Sequence, residues 1–167
     1  MRDSTFVTDT CLPELGRGAG LAIWGFRACA IGGAGCCTIV RGFERAFGDE
    51  TGPPLLGNLL ALARFIGHDG RRKVSLAVPG CVRITRDELS LLTVFAASQM
   101  QDEALRDAHL TWLTACSPDE TLTGLADQIA MSFAHHGYDI HLPQTSGARP
   151  VQMARPGTLY ALEGGRA

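Results

Sequence analysis

Lysine and asparagine are nearly absent from this chain: Lys73 and Asn58 are the only examples in 167 residues. Of fifteen Lys and Arg in all, subtracting that one lysine leaves fourteen arginines. With Ala, Gly and Leu abundant, this usage is the one expected of a GC-rich, bacterial genome, so arginine content alone is no mark of guanidinium chemistry. The opening stretch, MRDSTFVTDTCLPELGRGAG, lacks the basic stub and apolar run of a secretion signal. A cytoplasmic location is expected. Gly18 to Val40 is long enough to span a bilayer, but Arg27 near its middle and the intervening glycines weigh against a membrane segment.

The spacings that announce catalysis are missing too. No GxSxG or HExxH pattern brings a nucleophile, a base and an orienting group together. The cysteines (11, 29, 36, 37, 81, 116) and histidines (68, 109, 135, 136, 141) form no CxxC or HxxxH pair of the kind zinc favours. Neighbours such as Cys36 and Cys37 cannot easily aim both sulfurs at one tetrahedral ion. No metal and no cofactor is expected. In a reducing compartment the cysteines read as buried small hydrophobes or reactive thiols rather than as bridges.

What is present is a set of amphipathic segments closed by glycine. With 46% hydrophobic and 19% charged residues, the chain can bury one real core. Residues 1–19 show no periodicity and read as a mobile arm, 20–143 as a single helical domain, and 144–167 as a disordered tail with TLYAL (158–162) as its one docking segment. Helices are expected from about Leu21 to Ile31, Cys36 to Phe47, through TGPPLLGNLLALARFIG (51–67), through LSLLTVFAASQM (89–100), over 102–116, and after SPDE (117–120). TRDE (85–88) and SPDE both match the capping-box pattern. Between the third and fourth helices the period falls to two: Val74, Leu76 and Val78, then Val82 and Ile84. This predicts a small antiparallel hairpin at about 73–85 in which a loop of Pro79 to Cys81 pairs Val78 with Val82. YDIHLP (138–143) reads as a last short strand. The fold class is therefore mainly α: a compact bundle of about six helices with one small hairpin.

The stretch CAIGGAGCC (29–37) has three readings. As a dinucleotide loop it offers Gly33 and Gly35 but Thr38 at the third position, and no series of strand-helix units surrounds it. As a thiol centre it offers Cys36 and Cys37, with Cys29 nearby; a helix beginning near Cys36 would lower a thiol pKa through its first-turn amides. As a hinge it needs no chemistry, the glycines stopping one helix and releasing the next, and this reading is preferred.

Charge is unevenly spread. Residues 71–85 carry Arg71, Arg72, Lys73 and Arg83 with no acid, for +4, whereas residues 86–142 carry Arg86 and Arg106 against nine carboxylates, for −7. The basic patch Arg71, Arg72, Lys73, Arg83 and Arg86 resembles the wing of a winged-helix DNA binder in charge alone. The helix before it is core-like, and Asp87 and Glu88 after it would repel phosphate, which weighs against nucleic acid. The function expected is a non-enzymatic protein-interaction or regulatory module, with a protein partner or a second copy of the chain. Two alternatives stay open: a thiol-based redox or metal-responsive sensor at Cys36 and Cys37, and a nucleic-acid-binding regulator using the basic stretch 71–86. A catalytic site assembled from residues distant in sequence is a further possibility.

Overall fold

A computed structural model describes residues 6–141. In chain order these form strand β1 (Phe6–Cys11), a 3-10 turn (Leu12–Leu15), α1 (Gly16–Ala30), α2 (Cys37–Phe47), α3 (Gly52–His68), β2 (Arg83–Thr85), α4 (Arg86–Gln99), α5 (Glu103–Thr114) and α6 (Glu120–His135). The architecture is a mainly helical bundle of six helices with a two-stranded antiparallel sheet. Among the described residues no helix is long and apolar enough to cross a membrane.

Helix α4 runs through the middle. Leu91, Leu92, Val94, Phe95, Ala96 and Ala97 are all buried, against α1, α5 and α6. The stripe on α3 (Leu55, Leu59, Leu62, Ile66) packs against α1, α2 and α6. Phe43 and Phe47 of α2 carry the aromatic part of the core, from Trp24 on one side to Phe133 and Tyr138 on the other.

The turn at 29–37 is a helix stop followed by a restart. Gly33 N–H donates to Ala28 O and Gly32 N–H to Cys29 O, the paired bonds of a Schellman motif, with Gly32 at φ +80°. Cys36 then caps α2, its carbonyl accepting from the N–H groups of Ile39 and Val40.

The structure corrects four expectations. The segment 1–19 is not an arm from Phe6 onward, and the core does not begin at residue 20. β1 pairs with β2, and Leu12 N–H donates to Val82 O at 2.8 Å. α1 starts at Gly16, because its glycines, poor helix formers alone, allow close packing: a Cβ on Gly18 would lie 2.8 Å from Asp139 O. Residues 1–5 and the tail 144–167 lie outside the described residues.

The second correction concerns the sheet. β2 is present but its partner is β1, not residues 74–78, with Phe6 opposite Thr85 and Cys11 opposite Arg83. Residues 74–78 form no ladder because side chains take backbone groups of Ser75 and Ala77 instead: Ser75 N–H donates to Asp87, Ser75 O accepts from Thr85 Oγ1 and Ala77 N–H donates to Glu88. Third, the SPDE helix is capped by Asp119, whose Oδ1 accepts from Leu122 N–H at 2.8 Å, rather than by Ser117. A carboxylate is as good a cap acceptor and also complements the helix dipole. Fourth, the stretch from Tyr138 through Ile140 is no strand. The Gln99 side chain holds it, donating to Tyr138 O and accepting from Ile140 N–H.

Candidate interaction surface

An arginine in the apolar helix α1 and an acid at the start of the apolar helix α4 must find each other or lose the solvation of both charges. Arg27 and Glu88 do so: Nε donates to Oε1 at 2.6 Å and Nη2 to Oε2 at 2.9 Å, with Arg27 2% and Glu88 0% exposed. The remaining capacity of both groups goes to the loop that leads into β2. Arg27 donates to Cys81 O at 2.6 Å and to Arg83 O at 2.8 Å. Glu88 accepts from Ala77 N–H at 3.0 Å and, closing the capping box, from Thr85 N–H at 2.9 Å. Thr85 Oγ1 accepts from Glu88 N–H and donates to Ser75 O. Asp87 accepts from Ser75 N–H at 2.8 Å and from Arg72 Nη2 at 2.6 Å.

One buried ion pair and one helix cap thus hold both limbs of the loop. Between them the tip turns at Pro79 and Gly80, with Gly80 at φ +85° and Cys81 N–H donating to Val78 O. Val78 and Val82, expected to face each other inside a hairpin, point outward instead, 72% and 55% exposed. Beside the tip lies a groove of about 500 Å³ walled by Leu12, Pro13, Trp24 and Val82, with Gly16 and Gly20 among its lining residues. An apolar tip and an apolar groove therefore adjoin on one face.

The cysteines separate by environment. Cys29 is buried on α1, its thiol 3.7 Å from Leu56 O, and burial pushes its pKa up to about 11. Cys36 and Cys37 are both exposed. At the start of α2, the nearby backbone N–H groups of Thr38 and Ile39 hold the Cys36 pKa below that of an ordinary thiol, although the sulfur makes no capping hydrogen bond. Among the described residues no group of three or more His, Cys, Asp and Glu could hold a metal ion.

The basic residues are only partly gathered. Arg71, Arg72 and Lys73 line one cavity of about 470 Å³ with Phe26, Ile66 and Leu76, and Arg83 and Arg86 are not among its lining residues. Arg72 lies 4.7 Å from the Trp112 ring centroid besides pairing with Asp87, and Arg83 stacks over Phe6 at 4.2 Å. Ser90 Oγ and His109 Nδ1 are 2.7 Å apart, and burial lowers the His109 pKa. No carboxylate bonds the His109 ring among the described residues, so the pair satisfies a buried serine rather than assembling a triad.

Sequence reasoning missed Arg27 and Glu88 as a pair. An arginine on a helix with hardly any polar face demands a buried acceptor, and Glu88 sits in the capping box just ahead of the largely apolar run 89–97; that was the available signal. Comparison of the chain with protein-family models, curated proteins and solved structures returns no match.

Proposed function

We propose that the protein is a non-enzymatic interaction or regulatory module that presents the Val78–Val82 tip and the adjoining Trp24 groove to an apolar patch on a protein partner, another protein or a second copy of this chain. One observation carries the reading: a fully buried bidentate ion pair is used to hold a loop whose own apolar side chains face solvent. A buried pair of this kind is weak as a source of stability and is best suited to fixing one arrangement. Exposed apolar side chains on a fixed scaffold form a surface whose ordering cost on binding is low.

The test compares the wild type with Val78→Asp/Val82→Asp. Both positions are exposed, so stability is expected to stay within about 0.5 kcal/mol. Mass by light scattering over a range of concentrations, and photo-cross-linking from a diazirine residue placed at the exposed tip position Pro79 in both proteins, read the association. Self-association or a cross-linked partner that the double variant loses, with its unfolding unchanged, supports the proposal. A wild type that stays monomeric, with no cross-link sensitive to the variant, overturns it.

A second reading draws on Cys36, exposed at the N-terminal end of α2: a thiol that reacts reversibly with oxidants or electrophiles. Its test is iodoacetamide labelling at neutral pH followed by peptide mapping. Labelling of Cys36 several-fold faster than a free thiol supports it; a rate equal to that of free cysteine removes it.

A further inference from the structure

Where α4, α5 and α6 converge, a cavity of about 400 Å³ is lined by Ser98, Gln101, Asp102, Glu103, Arg106, Asp127 and Met131. Two of its lining groups are orphans. Ser98, 6% exposed, has a buried hydroxyl, and Asp127 a buried Oδ1, with no hydrogen-bond partner among the described residues. Buried polar atoms are nearly always satisfied, so two unsatisfied ones on one cavity call for a donor that reaches both.

The surrounding charge says which donor. Arg106 is already committed, Nη1 to Asp127 Oδ2 at 2.6 Å and Nε to Asp107 at 2.8 Å. Asp102 uses only Oδ1, to cap α5 through Leu105 N–H. Three lining carboxylates against one lining arginine leave a formal charge of −2, which rejects anions and attracts a cation. The absence of a group of three metal-ligating side chains among the described residues points away from a metal ion. Apolar surface adjoins the acids: Met131 lines the cavity, and Met100, next to Gln101, is 73% exposed. Met131, unbranched and 37% exposed, lines the same cavity and is a side chain free to shift when a ligand enters. Gln101 forms the rim in a left-handed conformation, φ +58°, that a side chain adopts at a cost.

We propose that this cavity is a binding site for a primary alkylammonium group, its methylene stem against Met131 and its N–H donors on Asp127 Oδ1 and Ser98 Oγ. The same chemistry can come from a lysine side chain of a partner protein or from a free diamine. The site does not depend on the Val78–Val82 surface.

The experiment is amide NMR of the full chain titrated with n-butylammonium, with tetramethylammonium as a cation without N–H donors and butyrate as an anion, at constant ionic strength. Saturable shifts confined to the amides around Ser98, Gln101 and Asp127 are expected with butylammonium and with neither control. Asp127→Asn is expected to weaken binding about tenfold or more. Ser98→Ala, which leaves the Arg106 pair untouched, is expected to weaken it about threefold or more while leaving unfolding unchanged. Two further probes separate the sources. Tighter binding of Nα-acetyl-lysine methylamide than of 1,4-diaminobutane assigns the site to a protein side chain, and the reverse order assigns it to a free diamine. Equal shifts with tetramethylammonium, no saturable shift with butylammonium, or unchanged affinity in Ser98→Ala would overturn the proposal.

Discussion

Arg27 and Glu88 stand 61 positions apart in sequence and meet in a bidentate pair of 2.6 and 2.9 Å with both side chains buried. Because each is the other's charge partner, removing one strands the other in a medium that solvates charge poorly. Arg27→Met is expected to cost about 3–5 kcal/mol. Adding Glu88→Gln neutralises the stranded acid, and its single carbonyl oxygen keeps an acceptor for one of the two N–H groups, Ala77 on Oε1 or Thr85 on Oε2. The double variant is expected to be about 1–3 kcal/mol more stable than the sum of the single losses would make it. Urea denaturation of the four proteins measures this, and additive losses would mean that the pair does not act as a unit.

Two glycines of α3 predict opposite outcomes for one substitution. A Cβ on Gly52 would lie 2.7 Å from backbone atoms of Phe43 and Glu44, where no side chain can swing aside. Gly52→Ala is expected to destabilise by about 1–3 kcal/mol. Gly57 is exposed in mid-helix with nothing within 4 Å of an added Cβ. Gly57→Ala is expected to stabilise by about 0.5–1 kcal/mol through the unfolded chain's lost freedom. Thermal melts of both variants check the signs; equal effects would mean that α2 and α3 are not packed backbone to backbone.

These cases mark what was legible in the sequence. The stripe Leu55, Leu59, Leu62 and Ile66 and the Thr85–Glu88 capping box are local patterns, and both stand where spacing placed them. The same holds for the start of α2 at Cys36 and Cys37, hence for the setting of the Cys36 sulfur. Long-range choices were not legible. Residues 74–78 have the alternation of a strand, yet their backbone groups go to Asp87, Glu88 and Thr85, and β2 pairs with a segment more than seventy positions earlier, Phe6–Cys11. Gly16 and Gly18 read as an unstructured arm because helix propensity ignores the carbonyl of Asp139 that packs on Gly18. Ser98 and Asp127 carry no sequence signal, since only the convergence of α4 and α6 places them on one cavity.

Cys29 predicts an alkaline limit to stability. Its thiol has a pKa raised from 9.0 to about 11 by burial, so between those values the unfolded chain releases a proton that the folded chain retains. The contribution is fully present below pH 9 and is lost as pH rises through about 11. At the upper end the loss is on the order of 2–3 kcal/mol. Cys36, with its pKa lowered, acts in the opposite sense: its contribution is present above the unfolded value and is lost as pH falls through its folded pKa. Unfolding free energy measured against pH in the wild type and Cys29→Ala isolates the first effect. The wild type is expected to lose stability more steeply than the variant above pH 9, and parallel curves would show that the Cys29 thiol ionises in the folded state.

Ala115 ends α5 in the left-handed region at φ +55°, where its N–H donates to Thr111 O. A Cβ in that conformation crowds the following carbonyl, at a cost of roughly 1–2 kcal/mol, and glycine carries no such penalty. Against this, glycine adds freedom to the unfolded chain, worth about 0.5–1 kcal/mol. The side chain is exposed, so its removal gives up little burial. The balance favours substitution: Ala115→Gly is expected to raise stability by about 0.5–1 kcal/mol without altering the Arg71 N–H bond to Thr114 O that ties the loop before β2 to this helix end. Denaturant midpoints with an unchanged slope measure the gain, and amide exchange at Arg71 reports whether the tie persists. A loss of stability would mean that the left-handed turn is relaxed in solution and that the end of α5 is not where the chain stores strain.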